Sequence, residues 1–131
     1  MPHRTAPPRS LTPAQILGAR AEQIAADYLL ARGLRILERN YRRRLGEIDL
    51  VALDNAVLVI AEVRTRSSEA FGGAAASIDG RKQRRIIRAA AQLLQRHREY
   101  AALPVRFDVL IVTGTASQDP QVTWLRQAFE A

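Results

Sequence analysis

Three carboxylates and one arginine fall on two neighbouring runs of β-forming residues. Glu47 and Asp49 lie in residues 47–53, and Glu62, followed by Arg64, closes residues 56–63. Side chains alternate along a strand, so Glu47, Asp49 and Val51 share one face while Ile48, Leu50 and Ala52 share the other. A turn centred on Asp54 and Asn55 would pair Leu53 with Ala56 and set Glu47 opposite Glu62. Asp49 would then be the diagonal neighbour of Glu62, roughly 7–8 Å away at the backbone. Like charges facing one another destabilise a sheet, so such a face needs a cation. Arg64 supplies one charge and leaves an acidic excess. A divalent ion, Mg²⁺ or Mn²⁺, suits that excess, because Mg²⁺ takes carboxylate oxygens and keeps several waters. A solvated face with cross-strand ion pairs is the alternative that these residues leave open.

The elements that would position this hairpin can be read on either side of it. Residues 1–11 hold Pro2, Pro7 and Pro8 with Arg4 and Arg9, and read as a disordered basic tail. Residues 12–131 read as one domain. Thr12, Pro13 and Gln15 give a helix start with a capping box. Apolar residues at Ile16, Ala19, Ile24, Ala25, Tyr28 and Leu29 continue near helical spacing, and Gly33 suits a left-handed end. Residues 34–41 form a short strand, and Arg42, Arg43 and Arg44 a basic connection into the hairpin. Residues 65–76 are loop-like, with Gly72 and Gly73 in the middle.

A second helix starts near Ser77 or Asp79 and runs to about Arg98, with Ile86, Ile87, Ala90, Leu93 and Leu94 on its apolar side. Residues 105–113 are a strand and residues 114–120 a loop. Residues 121–124 are a short last strand, with a turn of helix from Leu125 onward. The order is α-β-β-β-α-β-β, a mixed sheet flanked by helices and so an α/β protein.

Composition narrows the function classes. The chain has 131 residues, 47% of them hydrophobic, which is enough for a real core. Cysteine is absent, which excludes disulfides and cysteine-based zinc or iron–sulfur sites. A cytoplasmic location is expected from this. No apolar run approaches the roughly 18 residues of a membrane span, so no membrane partner is expected. The formal net charge is +7, which favours a polyanionic partner such as nucleic acid over a merely solubilising bias. Lys82 is the only lysine among 20 basic residues. Each arginine must therefore be judged by mechanism, since it can stand where lysine would otherwise be found.

Arg81, Arg84, Arg85 and Arg88 recur at i, i+3, i+4 and i+7, one stripe of the second helix. The stripe is either a phosphate-contact face or a solvated one. Arg42, Arg43 and Arg44 could touch a phosphate near the hairpin. His97 stands near a helix C-terminus, where an imidazolium can simply favour the dipole. Asp108, between Phe107 and Val109, is better read as structural than as a further acid.

The order of motifs resembles one known family. Gly18 and Glu22, Arg39-Asn40-Tyr41, Gly46-Glu47-Ile48-Asp49-Leu50-Val51, Glu62-Val63-Arg64-Thr65-Arg66, Lys82 and Arg106-Phe107-Asp108 together resemble the YraN-like family of uncharacterised bacterial proteins. That family is similar to Holliday-junction resolvases and other PD-(D/E)XK nucleases, so the resemblance implies a restriction-endonuclease-like fold. It also implies metal-dependent hydrolysis of DNA, with branched DNA as one substrate class and a homodimer as one assembly. Asp49 and Glu62 would be the carboxylate ligands of Mg²⁺ or Mn²⁺, with the Val63 carbonyl as a third. Glu22 would be an additional acid on the first helix.

Arg66, Arg81, Lys82, Arg85 and Arg88 would join Arg42, Arg43 and Arg44 in contacting nucleic acid. Arg64 falls where the family carries lysine, and arginine cannot act as a base. Three outcomes follow: Arg64 as a stabiliser of the transition state, a slowed enzyme, or a binding module without turnover. Lys82 could in principle reach the site from the second helix, but is better read as a nucleic-acid contact.

Overall fold

The first helix, α1 (Pro13–Ala31), begins at its capping box. The Thr12 hydroxyl accepts the Gln15 amide at 3.1 Å, and the Gln15 side chain accepts the Thr12 amide at 2.9 Å. Gly33, at φ 87°, turns the chain out of the helix end. Burial starts at Ala21 and continues through Ala25, Ala26 and Leu29. Ile16 and Ala19, expected on the apolar side, are exposed, because the first turns contribute almost nothing to the core. Three alanines in the buried stripe let the helix lie close to the strands beneath it.

The computed structural model describes residues 10–66 and 78–131. The expected tail falls outside them up to residue 9, as do Gly72, Gly73 and Ser77. The strands are β1 (Arg35–Arg43), β2 (Gly46–Asp54), β3 (Val57–Arg66), β4 (Val105–Thr113) and β5 (Gln121–Phe129). They form one sheet in sequential order, antiparallel at every step except β3 with β4, which are parallel. The second helix, α2 (Gly80–Arg96), lies in the connection between those two, as a parallel pair requires. Asp79 caps it, accepting the Lys82 amide at 2.8 Å. The α-β-β-β-α-β-β order expected from the sequence is the order observed.

Four boundaries differ from expectation. Arg42 and Arg43 belong to β1, so the basic connection shrinks to Arg44 and Leu45. The β2–β3 turn is Asn55-Ala56, closing on the pair Asp54–Val57, not on Leu53–Ala56. Asn55 adopts φ 54°, a left-handed conformation that asparagine tolerates and that a tight hairpin needs. Thr65 and Arg66 stay in β3, because they pair with Val112 and Thr113 of β4. The chain beyond Leu125 is strand, not helix. Leu125 pairs with Val109 and Phe129 with Phe107, around an irregularity where Gln127 takes φ 52°.

Each face of the sheet has its own core. Ile86, Ala89, Ala90 and Leu93 of α2 pack on Tyr41, Ile48, Val51, Ile60, Phe107 and Val109. Ala21, Ala25, Ala26 and Leu29 of α1 pack on Leu50, Ala52, Val59, Ala61, Leu110 and Val112. No helix among the described residues is long and apolar enough to cross a membrane.

The start of β2 touches α2 at backbone distance. A Cβ placed on Gly46 would lie 2.0 Å from the Arg85 carbonyl oxygen. Only glycine fits there without moving the helix. Gly46→Ala is expected to cost about 1–3 kcal/mol, the usual penalty of overpacking. Urea unfolding should show a lower midpoint, and an unchanged midpoint would mean that α2 moves aside freely.

Candidate functional site

Strict alternation fails in β2 at Asp49. Ile48 packs in the α2-side core with Tyr41, whereas Leu50, two residues on, packs in the α1-side core. Across on β1, Asn40 lies between the pairs Arg39–Leu50 and Tyr41–Ile48, at φ 52°. This pair of irregularities turns the strand. Asp49 emerges at the turn with its Oδ2 accepting the Val63 amide at 2.8 Å.

The last backbone pair of β2 with β3 is Leu50–Ala61. Continuing that register by one step puts Asp49 opposite Glu62, where the sequence placed it diagonally. The turn lies one residue further along than expected, which shifts the register by two and accounts for the difference. The N–H and C=O of one strand residue face the same neighbour. The Val63 carbonyl therefore faces the Asp49 side, beyond the last β2 partner.

A cavity of about 430 Å³ opens here, lined by Gly18 and Glu22 of α1, Asp49, Glu62, Val63, Arg64 and Lys82. Glu62 is 5% exposed. Burial and the neighbouring Asp49 charge raise its carboxyl to a pKa of about 7, despite the Lys82 ammonium. That ammonium lies 3.0 Å from Glu62 Oε1. Burial and Asp49 also push the Glu22 carboxyl above the usual range, with Asn40 and Arg42 pulling the other way. Three carboxylates thus meet one contacting ammonium, and the two with raised pKa values record the cost.

Asp49, Glu62, Val63, Arg64 and Glu22 are brought together, and Glu47 is not. Arg42 of β1 takes the Glu47 carboxylate in an ion pair, and Glu47 does not line the cavity. The expected basic residues divide. Arg43 covers the Tyr41 ring, with its guanidinium carbon 4.3 Å from the centroid. Arg66 lines a different depression with Leu17 and Thr115. Arg44, Arg81, Arg85 and Arg88 line a second cleft, joined by Arg84.

Lys82, expected as a phosphate contact or as a second source of lysine, touches Glu62. Asn40 belongs to the site without having been expected there. Its signals are its place in the Arg39-Asn40-Tyr41 motif and a turn-forming residue between the β-formers of a strand. Asp108 accepts Arg106 Nε at 2.9 Å, Trp124 Nε1 at 2.9 Å and the Gln127 amide at 3.0 Å. It is wholly buried, away from the cavity, and satisfied.

A five-stranded mixed sheet with a helix on each face, in this element order, is a restriction-endonuclease-like arrangement. The chain belongs to the uncharacterised protein family UPF0102, whose model matches residues 21–112. This is the family to which the motif resemblance pointed. A UPF0102 protein of Methylococcus capsulatus is 50% identical over 116 residues, covering 88% of this chain and 92% of its own. One of Stutzerimonas stutzeri is 45% identical over 121 residues, covering 92% of this chain and 100% of its own. A third, of Alcanivorax borkumensis, is 47% identical over 112 residues, covering 86% and 90%.

The raised carboxyl of Glu62 makes stability depend on pH. Its pKa is about 7 in the folded protein against 4.5 for the free group. The stability it contributes is complete below pH 4.5 and lost as pH rises through 7. In chelator, the wild type should therefore lose stability between pH 5 and pH 8. Glu62→Gln, which stays neutral, should lose less and be the more stable protein at pH 8. Urea midpoints at the two pH values measure this. Equal losses in both proteins would show that Glu62 does not carry the dependence.

Proposed function

We propose that this protein is a divalent-metal-dependent endonuclease that hydrolyses phosphodiester bonds in DNA. One observation carries the reading: Glu62 and Asp49 meet beside Lys82 Nζ in an open cavity, at an energetic cost that the fold alone does not require. Among the described residues, no three histidine, cysteine or acidic side chains form a metal-holding group. Two carboxylates with a backbone carbonyl remain, a set that suits Mg²⁺ or Mn²⁺ with waters filling the other positions. Asp49, Glu62 and the Val63 carbonyl would hold the ion. Bound there, it would polarise a phosphoryl oxygen and lower the pKa of a coordinated water.

The chain's own residues do the rest. The Val63 amide fixes the Asp49 carboxylate through Oδ2. Glu22 adds negative charge from α1, which favours a cation over an anion in the pocket. Lys82 directs an ammonium into the same cavity and can meet charge developing on the phosphoryl group. Arg64 lines the cavity and adds a second, non-titrating cation. Branched DNA and a homodimer come from the resemblance to resolvases and belong to this proposal. The second reading is a nucleic-acid-binding module without turnover, favoured by arginine at position 64.

Linear, flapped and four-way-junction DNA, incubated with Mg²⁺ or Mn²⁺, separates the two. The wild type should cut at least one of them, and Asp49→Ala prepared identically should not. Lys82→Met should slow cutting about 10²–10³-fold, the typical cost of removing one transition-state donor. Arg64→Ala should cost less than Lys82→Met. No cutting by the wild type, with DNA binding intact, would leave the binding module as the better description.

A further inference from the structure

The tip between β1 and β2 places Arg44 and Leu45 across a cleft from Arg81, Arg84, Arg85 and Arg88 of α2. The cavity between them is about 610 Å³. Its two walls meet in a backbone contact, because Gly46 lets β2 start directly against the Arg85 carbonyl. The helical arginines are exposed and form one stripe. Ion pairs among the described residues engage Arg42, Lys82, His97 and Arg106, and none of the five arginines of the cleft. Five guanidiniums gathered with no carboxylate paired to them among the described residues repel one another, and a polyanion relieves that repulsion.

Length argues for a chain of phosphates over a single anion. Arg81 to Arg88 spans about 10 Å of helix at 1.5 Å per residue. One strand of a duplex carries a phosphate every 3.4 Å or so of axis, so about three phosphates match the stripe. Guanidinium forks bind such groups in bidentate fashion. Leu45, 53% exposed at the tip, offers an apolar surface to sugar or base. Lys82 adjoins Arg81 on the first turn of α2 and reaches Glu62. The cleft and the carboxylate cavity therefore share that turn.

We propose that this cleft is the track that holds the phosphodiester backbone of a nucleic acid and leads it to the carboxylate cavity. The inference rests on the nucleic-acid part of the function proposed above and not on hydrolysis, so binding is measured without metal. Full-length protein in chelator would be titrated with a short fluorescein-labelled duplex at several NaCl concentrations, reading anisotropy. The variants are Arg84→Ala with Arg88→Ala, and a control with the same loss of charge, Arg32→Ala with Arg126→Ala. The control arginines cover the Tyr28 and Trp124 rings, away from the cleft.

The cleft variant should bind at least about tenfold more weakly, with a log–log salt slope flatter by about 1.8, or about 0.9 for each phosphate no longer neutralised. The control should keep nearly the wild-type slope. Equal weakening in both variants would mean that bulk charge binds DNA and would overturn the cleft. So would wild-type binding by the cleft variant, or competition by polyglutamate as effective as by DNA. Weakened binding by the cleft variant in a protein that never cuts DNA would keep the cleft and sink the hydrolytic reading. Cutting without any dependence of binding on the cleft would do the reverse.

Discussion

The Asp49 carboxylate accepts the Val63 amide at the point where β2 and β3 stop pairing by backbone. A side chain there takes over from a strand. Left unpaired in the interior, that amide would cost about 1–3 kcal/mol. The bond removes the cost and lets the two strands part without exposing an unmet donor. It also fixes the carboxylate beside Glu62. The local kink belongs to the same device. Ile48 and Leu50 fall into opposite cores, and Asn40 takes a left-handed conformation across from Asp49. Were β2 a regular strand here, Asp49 would lie within a ladder and the cavity would have no opening between the strands.

Two buried carboxylates on one sheet show what the fold requires and what it does not. Asp108 is fully enclosed and accepts hydrogen bonds from Arg106, Trp124 and the Gln127 amide. Its charge ties β4 to the irregular end of β5, and Arg106 extends the tie to Asp54 at 3.0 Å. That is a structural carboxylate, with donors matched to lone pairs. Glu62 is almost as buried but is met by one lysine and faced by Asp49 and an open cavity. Its carboxyl is correspondingly raised to about 7. Among the described residues, neither core includes Glu62. A cost retained where no packing demands it is the ordinary mark of a site, and cavities lined this way are where function is first sought.

Much of this is legible in the sequence, and the limits have physical causes. The capping box at Thr12 and Gln15, the cap at Asp79 and the β-rich runs mark the elements because they act locally. Register is not legible to better than two residues, because Asp54-Asn55 and Asn55-Ala56 are both plausible turn pairs. Parity survives that error, so the relation of Asp49 to Glu62 changes from diagonal to opposite without leaving the face. The grouping of Glu47 with Asp49 does not survive. It assumes unbroken alternation, and the kink at Asn40 and Asp49 depends on pairing with β1. The strand character of β5 beyond Leu125 is hidden for a similar reason, since its pairing partner is the distant β4. Ile16 resembles a core residue because periodicity reports amphipathicity and not where along a helix the sheet begins.

The lysine at position 82 carries information that the motif at position 64 obscures. Nineteen of the 20 basic residues are arginine. Arginine serves wherever charge and a fork suffice, as in the cleft lined by Arg44, Arg81, Arg84, Arg85 and Arg88. The one position that keeps an ammonium is the one 3.0 Å from the buried Glu62. An ammonium is a compact point charge and a guanidinium a larger planar fork, so the two are not interchangeable beside Glu62. Arg64 therefore weighs less against turnover than it does when the motif is read by itself. Under the proposed function, a lysine approaching from α2 provides the ammonium that the end of β3 lacks.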